Sequence, residues 1–163
     1  MRPYYEAYEE RYRAVHAKGL RWAGEQATPI VADVAGRYLS AGAALLELGC
    51  GEGRDARALL ARGYDLRATD CSEAAVAFCR KAMPAYADRF QRLDFLRDAE
   101  SAHYDMIYAV AVVHMLVLDA DRRGLFRFIR EHLRPNGIGL ICSMRTERHS
   151  ARWRSRRCGR CLR

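Results

Sequence analysis

A chain of 163 residues, half of them hydrophobic, can bury one core, so one α/β-sized domain is expected and a second has little room. No run approaches ~18 consecutive apolar residues, which excludes a membrane span. The net charge of +8 is not spread evenly: residues 1–144 hold 20 Lys+Arg against 19 Asp+Glu, whereas residues 145–163 hold eight Arg and one Glu, so basicity belongs to the tail and implies no nucleic-acid partner for the rest.

In chain order, Tyr5, Tyr8, Tyr12 and Val15 recur at helical spacing and predict an amphipathic helix over residues 3–18, ending near Gly19. A short helix from Pro29 to Leu39 follows, with the Thr28 hydroxyl as its cap and Pro29 in the first helical position. Ala43 to Leu48 is an apolar strand broken by a Gly-rich turn. Ala56, Leu59 and Leu60 give the next helix its buried stripe, and Gly63 ends it. Leu66 to Asp70 is the second strand, and Ser72 caps a helix with Val76, Cys79 and Met83 on one face, closed by Pro84. Phe90 to Leu93 is a third strand ending at Asp94, and Tyr104 to Val110 a fourth. A helix starting at Asp119 or Asp121 buries Leu125, Phe128, Ile129 and Leu133, stops at Arg134-Pro135-Asn136-Gly137, and leads to a fifth strand, Ile138 to Cys142.

Five strands separated by helical patterns mean βαβ units and a doubly wound, mostly parallel sheet. The first and fourth strands are the apolar ones and the third is the most polar, which gives the order 3-2-1-4-5 and puts a ligand crevice at the carboxyl ends of strands 1 and 4. The fifth strand is too apolar for an open edge, so a further neighbour is expected beside it. The opening Met1-Arg2-Pro3-Tyr4-Tyr5-Glu6 lacks an apolar stretch with a cleavage site, so a cytoplasmic location is expected. Cys50, Cys71, Cys79 and Cys142 sit inside apolar or loop segments and read as reduced thiols. Cys158-Gly159-Arg160-Cys161 is an isolated pair, and no metal site is expected.

Glycines at 49, 51 and 53 follow the first strand. A dinucleotide fingerprint G-x-G-x-x-G counted from Gly49 requires glycine at 54, where Arg54 stands. Glu47-x-Gly49-x-Gly51-x-Gly53, with Asp70 ending the second strand and Asp94 the third, resembles the motif set of class I S-adenosylmethionine-dependent methyltransferases, over roughly residues 40–143. The resemblance implies a Rossmann-like domain over 41–144 behind an N-terminal helical cap, 1–40, with S-adenosylmethionine as cofactor. Glu47 would lie near the methionine end, and Gly49, Gly51 and Gly53 would let the backbone approach, with Cys50 and Cys71 as small side chains beside the ligand. Asp70, 19 residues beyond Gly51, would accept the ribose hydroxyls, and Asp94 with Phe95 would meet the adenine amine. Asp70 also has the simpler role of capping the helix at Ser72, and Asp94 of closing a turn. Ala109, Val110 and His114 would line the sulfonium side, with His114 either a general base toward the acceptor or a packing residue.

The implied reaction is in-line displacement, which needs no covalent intermediate, so the catalytic residue is not readable. No Asp/Asn-Pro-Pro-aromatic motif follows the fourth strand, and Tyr4 to Trp22 resembles the cap of the tellurite-resistance and thiopurine-methyltransferase-like enzymes, so a small-molecule acceptor is expected and nucleic acid is not, in a monomer or homodimer. The family fold continues beyond the fifth strand with a helix and a hairpin, strands 6 and 7. Residues 145–163 have neither period, which predicts a basic, disordered tail on a truncated or frameshifted frame that binds cofactor but turns over poorly. A basic nucleic-acid-binding arm is the remaining reading of that tail, and its removal should then abolish salt-sensitive binding.

Overall fold

The computed structural model describes residues 4–143. The expected absence of strands 6 and 7 and the reading of the tail 145–163 lie outside the described residues.

The N-terminal segment is a 3-10 turn, Tyr4–Glu6, running into α1, Ala7–His16, instead of one helix over 3–18. The tyrosine stripe survives the break, because Tyr5, Tyr8 and Tyr12 all reach one cleft. α2, Pro29–Tyr38, begins where Thr28-Pro29 predicted, yet Thr28 does not cap it. Its hydroxyl instead donates to Asp55 Oδ2 at 3.1 Å, tying α2 to the helix after the Gly-rich turn.

The strands are β1, Ala44–Leu48; β2, Asp65–Asp70; β3, Phe90–Arg92; β4, Tyr104–Val110; and β5, Leu133–Cys142. They form one parallel sheet in the order β3-β2-β1-β4-β5, as the polarity of the strands predicted. α3, Arg54–Leu60, and α4, Glu73–Ala82, join α2 on one face, where Val31, Leu59, Val76 and Cys79 pack on Leu45, Leu66, Phe90 and Met106. α5, Asp119–His132, covers the other with Leu125, Phe128 and Ile129 against Leu46, Leu48 and Ile107. Such core leucines each contribute roughly 2–3 kcal/mol of transfer free energy. Ser72 caps α4 as expected, its hydroxyl oxygen accepting the Ala75 N–H at 3.1 Å.

β5 begins earlier than the expected Ile138. α5 stops at His132, and Arg134-Pro135-Asn136-Gly137 bulges out of the pairing: Tyr104 faces Leu133 while Met106 already faces Ile138, and Asn136 takes φ +65. Among the described residues β5 is a sheet edge, with Ile138, Leu140 and Ile141 half-buried. No helix among the described residues is long and apolar enough to cross a membrane.

Candidate functional site

The carboxyl ends of β1, β2 and β4 converge on a cavity of about 110 Å³ lined by Gly49, Asp70, Cys71, Asp94, Phe95 and, from the N-terminal segment, the three tyrosines. A sheet whose order reverses between β1 and β4 leaves a crevice there, because the helices on either side depart to opposite faces. Val112 and Met115 close the side next to β4.

The loop after β1 is fixed to β2. Gly49 and Cys50 both donate their N–H to the Thr69 carbonyl at 2.8 Å, and the Gly51 N–H donates to Asp70 Oδ2 at 2.9 Å. Gly49, at φ +76, tolerates no side chain, since a Cβ would sit 2.5 Å from Val112 Cγ2. Asp70 also accepts the Ser72 N–H at 2.9 Å, so it orders the turn into α4 while lining the cavity. Burial pushes its carboxyl above the ordinary carboxylate range, against the pull of those two N–H donors. Burial, reinforced by the charge of Asp70, pushes the Cys71 thiol up to about 12, so it lines the site as a neutral small side chain.

Asp94 is 4% exposed, with Leu96 N–H on Oδ1 at 3.0 Å and the Tyr5 hydroxyl on Oδ2 at 2.9 Å. Tyr12 lies over Gly51, its hydroxyl 2.8 Å from where a Cβ there would stand.

Other expected site residues fall elsewhere. Glu47 is not among the cavity residues. It faces the α3 side beneath the loop, 2% exposed, near Asp55 and Tyr108, and its Oε2 and the Tyr108 hydroxyl make no hydrogen bond. Burial, with the neighbouring charge of Asp55, pushes the Glu47 carboxyl up to about 8. Cys50, which is buried, and Gly51, beneath the Tyr12 hydroxyl, are not among the cavity residues, and Gly53 packs on Met83, Cys79 and Phe90. Ala109 is fully buried in the α5 core and Val110 packs against the opposite one, since the strand alternates faces to its end; the residues that reach the cavity are Ala111 and Val112, just beyond it. Ala111 adopts φ +60, strained for a residue with a side chain. His114 is exposed and is not among the residues that line the cavity. In the 3-10 turn Val113–Met115, positions three apart eclipse, so Val112 and Met115 share the cavity side and position 114 does not.

Three contributors were legible only in part. The tyrosine stripe was visible as a helix face but not as a cavity wall. Glu52, inside the loop, takes the His16 ring at 2.9 Å, the Trp22 N–H at 2.8 Å and the Ala23 N–H at 3.1 Å, and nothing in its spacing announces a clamp. Val112 and Met115 lay in an apolar run without a period.

The methyltransferase domain model matches residues 46–138, more than half of the chain. Among curated proteins, hemagglutinin 1 of Eikenella corrodens is 38% identical over 104 residues, covering 60% of this chain and 33% of that protein. The glycopeptide N-methyltransferase MtfA complexed with sinefungin superposes with a TM-score of 0.63 at 28% identity, over 73% of this chain and 50% of that one. TehB from Haemophilus influenzae superposes with a TM-score of 0.60 at 26% identity, over 70% and 40%. The chain therefore spans a third of the length of that curated relative and about half or less of these solved structures. Sheet order, loop and family match agree, and the chain belongs to the methyltransferase domain family, within the class I S-adenosylmethionine-dependent methyltransferases.

Proposed function

We propose that this chain carries out S-adenosylmethionine-dependent methyl transfer to a small-molecule acceptor. The observation that carries the reading is one cavity bounded at once by Gly49, Asp70 and Asp94, the backbone cradle and the two carboxylates that the cofactor's polar ends require. The residues fit the group: Gly49 brings a bare stretch of loop backbone to the cavity wall beside Val112, and Asp70 and Asp94 are buried acceptors at separate strand ends.

When bound, S-adenosylmethionine supplies a methyl carbon on a sulfonium, open to in-line attack by an N, S or O nucleophile. Asp70 holds the ribose hydroxyls and Asp94 the adenine amine, with Phe95 and Leu96 against the base. Glu47 acts indirectly, through the loop it underlies. Residues 1–40 serve as the cap of a domain over 41–144. Tyr5, Tyr8 and Tyr12 exclude water from the reacting centre, which strengthens every polar contact inside.

A second cavity of about 440 Å³, lined by Tyr4, Ala7, Tyr8, Arg11, Met115 and Val117 with Glu10, shares Tyr8 and Met115 with the first. The Tyr8 hydroxyl donates to Met115 Sδ at 3.4 Å across that junction. This larger, open cavity is the acceptor site of the proposal, and its aromatic and aliphatic walls favour a compact, partly apolar molecule. MtfA, by its name, methylates a glycopeptide nitrogen.

Calorimetric titration with S-adenosylmethionine, and in parallel with NAD, tests the cofactor half. Binding of the first and not the second is expected. The reverse result would overturn the reading.

A further inference from the structure

Asp94 is oriented by a side chain from the far end of the sequence. Its two oxygens are anchored separately, Oδ1 by the Leu96 N–H at 3.0 Å and Oδ2 by the Tyr5 hydroxyl at 2.9 Å, with Arg97 Nε 3.9 Å from Oδ2. Tyr5 is 8% exposed, and its ring meets Tyr4 edge-on at 5.4 Å. Tyr4 is itself held, donating to Asp121 Oδ2 at 2.9 Å and accepting the Val117 N–H at 2.8 Å. A line of contacts thus runs from α5 through two tyrosines to Asp94. Tyr5, Asp94, Phe95 and Leu96 all line the 110 Å³ cavity.

An ionised carboxylate offers about four acceptor positions. Two are taken here by donors on different oxygens, so the group cannot turn about its terminal torsion without giving one up. What remains is a fixed pair of lone-pair directions aimed at a donor. We propose that Tyr5 is a positioning residue that sets the purine selectivity of the cofactor site: by locking the plane of Asp94 it favours a 6-amino purine and rejects a 6-oxo purine. The assignment rests on the reading of Asp94 as the adenine contact.

The physical reason is acceptor against acceptor. A 6-oxo group placed on the locked carboxylate sets acceptor against acceptor and leaves the base's own oxygen buried without a donor, and a site built to receive an N–H discriminates strongly against a ligand lacking it. An unlocked carboxylate escapes the penalty by rotating toward the N1–H of the 6-oxo base. The lock therefore matters for selectivity more than for affinity.

The test measures dissociation constants of S-adenosylhomocysteine and S-inosylhomocysteine by calorimetry on the full chain. The unmodified chain is expected to prefer the adenosyl ligand by about tenfold or more. Tyr5→Phe should narrow that ratio by about threefold or more, chiefly through tighter binding of the inosyl ligand. Tyr38→Phe, which removes an exposed hydroxyl outside both cavities, should keep the full ratio. In an Asp94→Ala background, Tyr5→Phe should leave the ratio unaltered, because the group it orients is gone. If the Phe variant does not fold, by near-ultraviolet circular dichroism, Tyr5→Met, which also lacks the hydroxyl, is read in the same way. A Tyr5 variant that weakens both ligands equally, or leaves the ratio unchanged, overturns the proposal while the cofactor reading stands. Failure of the unmodified chain to bind S-adenosylhomocysteine at all would instead bring down that reading and the assignment built on it.

Discussion

Gly49 and Glu47 stand two residues apart in the same turn and do opposite things. Gly49 holds a left-handed backbone against Val112, so Gly49→Ala adds conformational strain and a side-chain collision in one step. The expected cost is about 1–3 kcal/mol in chemical denaturation, with S-adenosylhomocysteine binding weakened more than tenfold in calorimetry. An alanine variant of unchanged affinity would show that the close approach is not used by the ligand. Glu47 has a folded-state pKa near 8 against an ordinary value of 4.5, raised by burial and by Asp55. The native state therefore holds a proton that the unfolded chain releases first, and stability contributed below about pH 4.5 is lost progressively as pH rises toward 8. Glu47→Gln removes that dependence. Its advantage over the native chain should grow between these limits, to an increment on the order of a few kcal/mol, and then level off; thermal melts at steps across the range would read it, and a constant difference would refute the assignment.

At the scale of elements, the N-terminal segment is fastened to the loop after each of the first three strands. Glu52, in the loop after β1, takes His16, Trp22 and Ala23; Ser72 and Ala74, after β2, donate to Glu9 Oε2 at 2.7 and 3.0 Å; and Tyr5 bonds Asp94 after β3. Glu52→Ala strips three donors of their acceptor and should cost about 2 kcal/mol. Limited trypsin digestion should then cut at Lys18 or Arg21 well before the sheet is attacked. Uniform digestion of the variant would mean that the arm and the sheet unfold as one unit and that Glu52 is no separate clamp.

For the whole molecule, the parallel sheet brings the three motif-bearing loops to one end, and any ligand bridging them stabilises the native state. S-adenosylhomocysteine at 100 times its dissociation constant should add about 2.7 kcal/mol, seen as a rise in Tm, whereas NAD at the same concentration should add nothing. Equal stabilisation by both would contradict the cofactor assignment. Strand polarity alone determined the order of the sheet, since a fully covered strand has no face left for charge, and loop spacing together with Asp70 and Asp94 separated this glycine loop from a dinucleotide one. Local chemistry likewise marked the Ser72 cap, because a cap is made within three residues of itself. Thr28 obeyed the same local pattern and was taken by Asp55, 27 residues away, where a stronger charged acceptor was available. Sequence assigned Glu47 to the ligand by its place in the motif. The tertiary structure put it on the far side of the loop, because its strand position shares a face with Leu45 and Tyr108. The walls of the cavity were decided only by folding. Tyr5 and Asp94 are 89 residues apart, Tyr8 and Met115 are 107 apart, and no periodicity in a single segment encodes a hydrogen bond made across two ends of the chain.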